Sequence, residues 1–365
     1  MWLTKDEINR NIRWLLAQAS SPVKYLTTKH ILREDSASQQ MRALWAEVAQ
    51  GPDADEILSR QNDDGSWFSG GPWGPRGYRR QTPPGYTADR PKFVTTAWIL
   101  PYLGEMGFTV DDARVRASGE YIVQHIDLPE PVTTELERSQ NCCGLYAAPL
   151  RALASIGMAS DRRLEGRWDR LLQCQRSDGG WLNPSHLADS PTPSKTQGRW
   201  PWDRSCVWGS TFAAQALYAS DVPNHRGALR QALEFLLWHL SQQDLEHIRT
   251  WVYHGHAIVR ELLMFSEAEI DMTTAPVQAL LSWLRGYYRP DEGAFRTQDR
   301  PAPGFVRQVS AIVKEAEARY GPDYWTAIPK VDAPVLRYHL YHLVEDDWLT
   351  YYLTRIAANL LPESA

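Results

Sequence analysis

Three consecutive acidic residues, Glu345, Asp346 and Asp347, are the first candidates for chemistry in this sequence. A carboxyl group acts as a general acid when its surroundings raise its affinity for a proton or supply a strong hydrogen-bonded partner. The three residues stand where a predicted helix, residues 347–361, begins. The alternative is therefore that they cap this helix and complement its dipole. The sequence leaves both interpretations open.

Cysteine and histidine residues stand near the predicted starts of three further helices. They are Cys143, Cys206, His254 and His256. If these helix starts meet at one end of the fold, their thiolate and imidazole groups suit a zinc site with an open position for water or substrate. The spacing matches no local zinc signature, and a free cysteine is commonly a small buried apolar residue. We expect Cys174 to be such a core residue.

Two long segments, residues 68–93 and 182–208, are rich in glycine, proline, aromatic and basic residues. Arginine clusters bind diphosphate in a bidentate manner, and aromatic faces stabilise carbocations. Both features suit an isoprenyl diphosphate. The candidate binding residues are Arg79, Arg80, Trp98, Trp202, Arg204 and Trp208. The alternative is a solvated basic loop whose aromatic residues fill the core.

The composition excludes several functional classes. The chain has 365 residues, a net charge of −5 and 43% hydrophobic residues, with 16 Trp, 16 Tyr and 8 Phe. A weakly acidic protein has no global basic field for nucleic acid. The sequence contains no apolar run long enough to span a membrane and no signal peptide at its start. Four cysteines in so long a chain predict no disulfide framework and a reduced, cytoplasmic protein.

A short motif recurs along the chain. QNDDGSW occupies residues 61–67 and QRSDGGW residues 175–181, so Gln61 and Trp67 correspond to Gln175 and Trp181. A degraded third copy, RPDEGAF, follows at the same interval of 114 residues, with Arg289 and Phe295 in place of Gln and Trp. Each motif follows a predicted helix. The Gln amide can bond free backbone groups at a helix end, and the Trp ring can pack over that helix, which predicts a structural clasp.

Hydrophobic periodicity predicts an all-α fold. Nearly all-apolar segments, which indicate buried helices, alternate with amphipathic ones. The apolar helices are expected at 22–33, 93–106, 143–157, 208–219, 254–265 and 347–361. The amphipathic helices are expected at 36–50, 112–126, 162–175, 223–242 and 274–288, and a first helix at 5–18 would close a ring. We therefore predict a single α/α toroid of about twelve helices over residues 1–365, an (α/α)6 barrel, with a linear solenoid as the alternative.

The repeated Gln-x3-Gly-x-Trp motif between helical hairpins resembles the repeat of the squalene-cyclase and protein-prenyltransferase superfamily. The stretch CCGLYAAPLRALASIGMASDRRLEGRWDRLLQCQRSDGGW is similar to smaller bacterial members with one toroid. The resemblance implies a terpene cyclase-like enzyme that holds an isoprenoid, either a prenyl diphosphate or a squalene-like chain, in a central cavity. It also implies carbocation chemistry, with Mg²⁺ accompanying a diphosphate substrate.

The sequence departs from this family at the catalytic acid. Cyclases resemble one another in an Asp-x-Asp-Asp-Thr string, whereas here Trp348 and Leu349 follow the two aspartates. The zinc-dependent prenyltransferase branch is one alternative, with zinc held by the cysteines and histidines named above. A non-catalytic toroid that binds lipid or peptide is another. Transient contact with a membrane surface is compatible with such substrates, and the sequence does not set the oligomeric state.

Overall fold

A computed structural model describes residues 2–67, 90–126, 144–181, 205–242, 252–296 and 346–361 of the chain. Within these ranges the fold is mainly helical, as predicted. The α-helices are α1 Lys5–Gln18, α2 Ser21–Leu26, α3 Gln39–Ala49, α4 Pro52–Leu58, α5 Arg90–Glu105, α6 Ala113–His125, α7 Gly144–Ser155, α8 Glu165–Gln173, α9 Val207–Ser220, α10 Arg226–Ser241, α11 Val252–Glu267, α12 Ala275–Arg285 and α13 Asp346–Asn359. Among these helices none is long and apolar enough to cross a membrane.

Several predicted helices differ in detail from the structure. The segment expected at 36–50 is followed by a separate short helix, α4, because Gly51 and Pro52 interrupt the chain and Pro52 starts the new helix. A π-helical turn, Thr27–Ile31, continues α2. Single 3-10 turns, Arg162–Leu164 and Pro223–His225, precede α8 and α10.

The all-α prediction leaves out one small pair of strands. Two short strands, β1 Tyr288–Arg289 and β2 Ala294–Phe295, pair antiparallel around the third motif. A single bridge also joins Trp181 to Cys206. These pairs are too short to show alternating hydrophobicity, so the periodicity of the sequence cannot reveal them.

The chain divides into two compact units. Unit 1 comprises Met1–Arg60, Leu240–Ala318 and Leu336–Ala365, and unit 2 comprises Gln61–His239 and Arg319–Val335. In unit 2, α7 packs against both α5 and α9. In unit 1, α13 packs against α1, α11 and the π-helical turn. The prediction of one closed toroid over the whole chain stays a prediction.

Buried apolar residues dominate the helices that were expected to be inner ones. In α9, Phe212, Ala213, Ala214, Ala216 and Leu217 are each at most 2% exposed. The amphipathic helix α8 instead buries one face, with Trp168 and Leu171 inside. The predicted distinction between all-apolar and amphipathic helices is therefore present in the structure.

The state of the cysteines differs from the prediction in one respect. Cys174 is buried, as expected of a core residue, but its sulfur is disulfide-bonded rather than reduced. Cys206 is buried and is not disulfide-bonded.

Candidate functional site

The first two copies of the repeated motif form the same set of contacts. We use the word clasp for each copy of the motif, at residues 61–67, 175–181 and 289–295, together with the contacts that it makes to neighbouring helices. In the first, the Gln61 side-chain nitrogen donates to the carbonyl oxygens of Gly65 at 3.2 Å and Arg114 at 2.8 Å. In the second, the Gln175 nitrogen donates to the carbonyls of Gly179 and Ala228, each at 2.8 Å. Each glutamine thus joins its own turn to the next amphipathic helix, α6 or α10.

The third clasp receives its amide from a distant part of the chain. With its side-chain amide oriented to satisfy its neighbours, Asn11 of α1 donates to the carbonyls of Gly293 at 3.0 Å and Glu7 at 2.9 Å. These acceptors correspond to those of Gln61 and Gln175. Helix α1 therefore holds the third clasp as α6 and α10 hold the first two, although its residues come from the other end of the sequence.

A glycine in the left-handed region lets the clasps approach these helices closely. Gly179 has a φ of +88°, and a Cβ atom there would lie 2.3 Å from the carbonyl oxygen of Gln231 in α10. Gly65 has the same conformation, with a φ of +81°, and a Cβ would lie 2.5 Å from the carbonyl oxygen of Ala117. A side chain is excluded at both positions by strain and by overlap with backbone.

Each clasp also fixes the rotation of an apolar helix. The backbone N–H of Trp67 donates to the hydroxyl of Thr96 in α5 at 3.1 Å. The N–H of Trp181 donates to Ser210 in α9, and that of Phe295 to Thr350 in α13, both at 2.9 Å. These three hydroxyls mark the side of each helix that faces its clasp.

The opposite side of the same helices carries an aromatic residue in all three repeats. Because an α-helix has about 3.6 residues per turn, a residue two positions after the hydroxyl lies on nearly the opposite face. That residue is Trp98 in α5, Phe212 in α9 and Tyr352 in α13. We call the side of the apolar helices that faces away from the clasps the inner face.

The aromatic residues of the inner face contact other rings within their own units. The rings of Trp98 and Phe212 meet edge to face at 5.6 Å, and the helices that carry them both pack against α7. In unit 1, the Tyr352 ring stacks on Trp348 at 6.3 Å and meets Tyr351 at 5.3 Å. Trp98, a sequence-predicted binding residue, thus belongs to an aromatic surface in unit 2.

Three residues further along, the inner face becomes polar. Gln215 of α9 is 4% exposed, and neither atom of its amide has a hydrogen-bond partner among the residues that the structure describes. Arg355 holds the same position in α13 and pairs with Glu267 at 2.6 Å. Burying an amide without a hydrogen-bond partner costs free energy. Gln215 and Arg355 thus place a polar side chain at the same position of α9 and α13, within an otherwise apolar layer.

Basic residues of the π-helical turn add charge to the polar part of unit 1. Burial, with the nearby cation of Arg355, lowers the pKa of Lys29. Burial and the cations of Arg355 and Lys29 together lower the pKa of His30 to about 3. The imidazole of His30 is therefore neutral near pH 7, and the site carries positive charge on Lys29 and Arg355.

The acidic residues predicted as catalytic have structural partners. Asp346 pairs with Arg296 at 3.2 Å. Asp347 accepts hydrogen bonds from the Ser20 hydroxyl at 2.7 Å and the Ser20 backbone N–H at 3.0 Å. It also accepts from the backbone N–H of Trp348 at 2.8 Å, at the start of α13. The two aspartates stand in the first turn of α13, and both the capping and the catalytic interpretation stay predictions.

The same aspartates line an open cleft in unit 1. Its volume is about 540 Å³, and its lining residues are Trp14, Gln18, Glu292, Arg296, Asp346 and Asp347. Arg296 lies over the Trp14 ring at 5.2 Å and pairs with Glu292 at 2.6 Å. Because Glu292 and Asp346 both bond its guanidinium, the pKa of Arg296 is raised. The carboxylates of the cleft are thus largely occupied with Arg296 and Ser20.

The predicted zinc ligands are only partly described. Cys206 caps α9, is 2% exposed, and bonds through its backbone N–H to the Trp181 carbonyl at 2.8 Å. His254 and His256 lie in the first turns of α11, but their side chains, like Cys143, lie outside the described residues. Within the described part of the chain no group of three His, Cys, Asp or Glu residues could hold a metal ion. Cys206 by itself does not make a zinc site.

The remaining predicted site residues cannot be placed. Arg79, Arg80, Trp202, Arg204 and Glu345 lie outside the described residues. Trp208 is the second residue of α9, and its side chain is not described.

Sequence reasoning missed the residues that the repeat brings to the inner face. Phe212, Tyr352, Gln215 and Arg355 were not among the candidates, nor were Lys29 and His30. The signal for the first four was available in the sequence. Phe212 and Gln215 follow Ser210 of α9 by two and five residues, and Tyr352 and Arg355 follow Thr350 of α13 by the same intervals. It could not be recognised before the partner hydroxyl of each clasp was known.

Comparisons with known proteins assign no family to this chain. No family model matches the sequence, and no curated protein matches it either.

Proposed function

We propose that this chain is a terpene cyclase-like enzyme that holds an isoprenoid against the inner face of α5 and α9 in unit 2. The observation that carries the proposal is the repeated position of Trp98, Phe212 and Tyr352. The hydroxyls that bond the clasps lie two residues before these aromatic residues, so each aromatic residue is on the side of its helix that faces away from its clasp. The proposal also draws on the resemblance of the motif itself to the squalene-cyclase and prenyltransferase repeat.

The physical basis of the proposal is the match between an aromatic, apolar surface and a hydrocarbon that becomes cationic. Branched hydrocarbon chains bury apolar area against aromatic rings, which contributes about 25 cal/mol per Å² removed from water. The negative face of each ring then stabilises positive charge that develops on the chain. The paired rings of Trp98 and Phe212 offer such a surface in unit 2.

A prenyl diphosphate suits these residues better than squalene. Squalene must be protonated to form a carbocation, whereas an allylic diphosphate forms one when its C–O bond breaks and diphosphate leaves with the electron pair. The carboxylates of Asp346 and Asp347 are bonded to Arg296 and Ser20, so neither is placed as a free proton donor. Mg²⁺, where it takes part, would enter with the diphosphate.

Product analysis tests the proposal. Purified protein is incubated with geranyl, farnesyl and geranylgeranyl diphosphates, each with and without Mg²⁺, and with squalene. We expect cyclic or rearranged hydrocarbons or alcohols from a prenyl diphosphate and none from squalene. Binding of a prenyl diphosphate without turnover would instead favour the non-catalytic lipid-binding alternative. Transfer of the prenyl group to a peptide, dependent on bound zinc, would favour the prenyltransferase alternative.

A further inference from the structure

One buried amide on the inner face of α9 has no hydrogen-bond partner in the described part of the chain. Gln215 is 4% exposed, and neither its Nε2 nor its Oε1 atom is bonded there. Burying an amide in this state destabilises a fold, and most buried polar side chains in proteins have a partner. The amide of Gln215 is therefore a candidate for binding a molecule from outside.

Helix geometry places Gln215 beside the aromatic pair of unit 2. Phe212 and Gln215 stand two and five residues after Ser210, whose hydroxyl bonds the clasp. At about 100° per residue, both lie on the side of α9 that faces away from the clasp. Residues three positions apart are neighbours on a helix surface, so the amide adjoins Phe212. The Phe212 ring in turn meets the Trp98 ring at 5.6 Å.

The repeat does not require a polar side chain at this position. In α5, the residue five positions after the clasp hydroxyl of Thr96 is Pro101, which is buried and has no polar side chain. The nearest residues along α9 are also apolar, and each is at most 1% exposed: Ala213, Ala214, Ala216 and Leu217. An apolar residue in place of Gln215 would avoid the cost of an unpartnered amide. Packing by itself thus gives no reason for a glutamine here.

The chemistry of the amide favours a neutral oxygen group as its partner. A charged group buried beside it would need a counterion, which an amide does not supply. The buried arginine of the adjacent helix α7, Arg151, already pairs with Glu105 at 3.0 Å. A hydroxyl group can accept from the amide nitrogen or donate to the amide oxygen, so it can bond either atom.

We propose that Gln215 binds the hydroxyl group of an alcohol whose apolar part lies on the Trp98–Phe212 surface. Trp98 is only partly buried, so a ligand can approach this surface. The inference rests on the proposed function for the nature of the apolar part, which would be an isoprenoid chain. Alcohols are one of the two product classes expected of that enzyme. Unit 2 would then prefer an isoprenoid alcohol to the hydrocarbon with the same skeleton.

Competition against tritiated farnesol tests the preference. The competitors are two alcohol and hydrocarbon pairs, farnesol with farnesene and bisabolol with bisabolene, and the measured quantity is the affinity ratio within each pair. In wild type the alcohol should bind more tightly in at least one pair. Gln215→Met keeps an unbranched side chain but removes the amide, and it should lower that ratio by about tenfold or more. Gln173→Met, at an exposed position of α8, is the matched control and should keep the wild-type ratio.

Thermal unfolding gives a second readout, which separates ligand binding from a structural role. Gln215→Met should raise Tm by about 1–3 °C without ligand, because it removes a buried polar group that has no partner. Gln173→Met should leave Tm unchanged. Saturating farnesol should raise the Tm of wild type more than that of Gln215→Met, since a ligand that binds more tightly stabilises the folded state more.

Three results would overturn the proposal. One is a wild-type protein that binds no farnesol, and another is an unchanged alcohol preference in Gln215→Met. The third is a lower Tm of Gln215→Met with no change in preference, which would show that a buried water satisfies the amide. The proposed function can fail separately. If Gln215 selects alcohols but no prenyl diphosphate is converted, the alcohol site stands and the catalytic proposal fails.

Discussion

Single hydrogen bonds at three glycine turns determine which side of each apolar helix faces its clasp. The clasp amides and hydroxyls are few, but each joins two helices, so their loss affects both. Gln61, Trp67, Gln175 and Trp181 were predicted from sequence as structural residues, and their contacts are those of a clasp. The sequence could suggest this interpretation because the motif is local and its glycine, amide and aromatic residue each have one evident use.

Substitution of a clasp glycine should destabilise the fold strongly. Gly179→Ala places a Cβ against the Gln231 carbonyl and forces a positive φ on a residue that resists it. We expect a loss of about 3 kcal/mol in the free energy of unfolding. Gly166→Ala in α8 is the matched control, because a Cβ there meets no atom within 4 Å. It should leave stability unchanged or raise it by about 0.5–1 kcal/mol. Equal effects of the two substitutions would contradict the role given to Gly179.

Removal of the Asn11 amide should open the third clasp. Asn11→Ala leaves the carbonyls of Gly293 and Glu7 buried without that donor, which we expect to cost about 2–3 kcal/mol. Arg13→Ala, at an exposed position of the same helix, should change stability by less than about 0.5 kcal/mol. Urea unfolding measures both. If Asn11→Ala behaves like Arg13→Ala, the third copy of the motif is not held by α1.

At the scale of the elements, hydrophobic periodicity predicted most helices within a few residues of their ends. It failed where short-range chemistry overrides the pattern. A separate short helix, α4, follows the helix expected at 36–50, and the turn at Thr27–Ile31 widens another expected helix. The hairpin of β1 and β2 has two residues in each strand. None of these features changes the periodicity of the sequence enough to be seen.

The Glu7–Arg285 ion pair anchors α1 to α12 and should make stability depend on pH. Burial by itself would raise the pKa of Glu7, but hydrogen bonds from Arg285 and Thr4 outweigh it, so the pKa lies below its usual value of 4.5. A lowered folded-state pKa contributes stability above pH 4.5, and this contribution is lost as the pH falls through the folded pKa.

Unfolding free energies at pH 7 and pH 3 test this linkage. Glu7→Gln should be less stable than wild type at pH 7, and the difference between the two should shrink at pH 3. Glu47→Gln, at an exposed position of α3, should follow wild type at both values. A Glu7→Gln protein that loses as much stability as wild type between pH 7 and pH 3 would show that the pair does not produce the effect.

At the scale of the whole molecule, the sequence predicted the helical class and the repeat, but not the residues that a site would use. Asp346 and Asp347 were catalytic candidates because they are adjacent in sequence. In the structure Asp346 forms an ion pair with Arg296, and Asp347 accepts a hydrogen bond from Ser20. The Asn11 contact and the packing of the π-helical turn against α13 join distant parts of the chain. Such pairings follow from packing, and no local pattern in one sequence encodes them.

The central claim is that the clasps turn aromatic residues toward a bound isoprenoid. The most direct test is the affinity for farnesyl thiodiphosphate, measured for wild type, Trp98→Leu, and Trp45→Leu as the control. The Trp45 ring meets the Tyr25 ring at a tilted angle, with 5.5 Å between the ring centres, and Trp45 is not part of the inner face. We expect Trp98→Leu to weaken binding by about five- to tenfold, because it removes an aromatic contact worth about 1 kcal/mol or more. Trp45→Leu should bind like wild type. Wild-type affinity in Trp98→Leu, or no binding by any of the three proteins, would contradict the account.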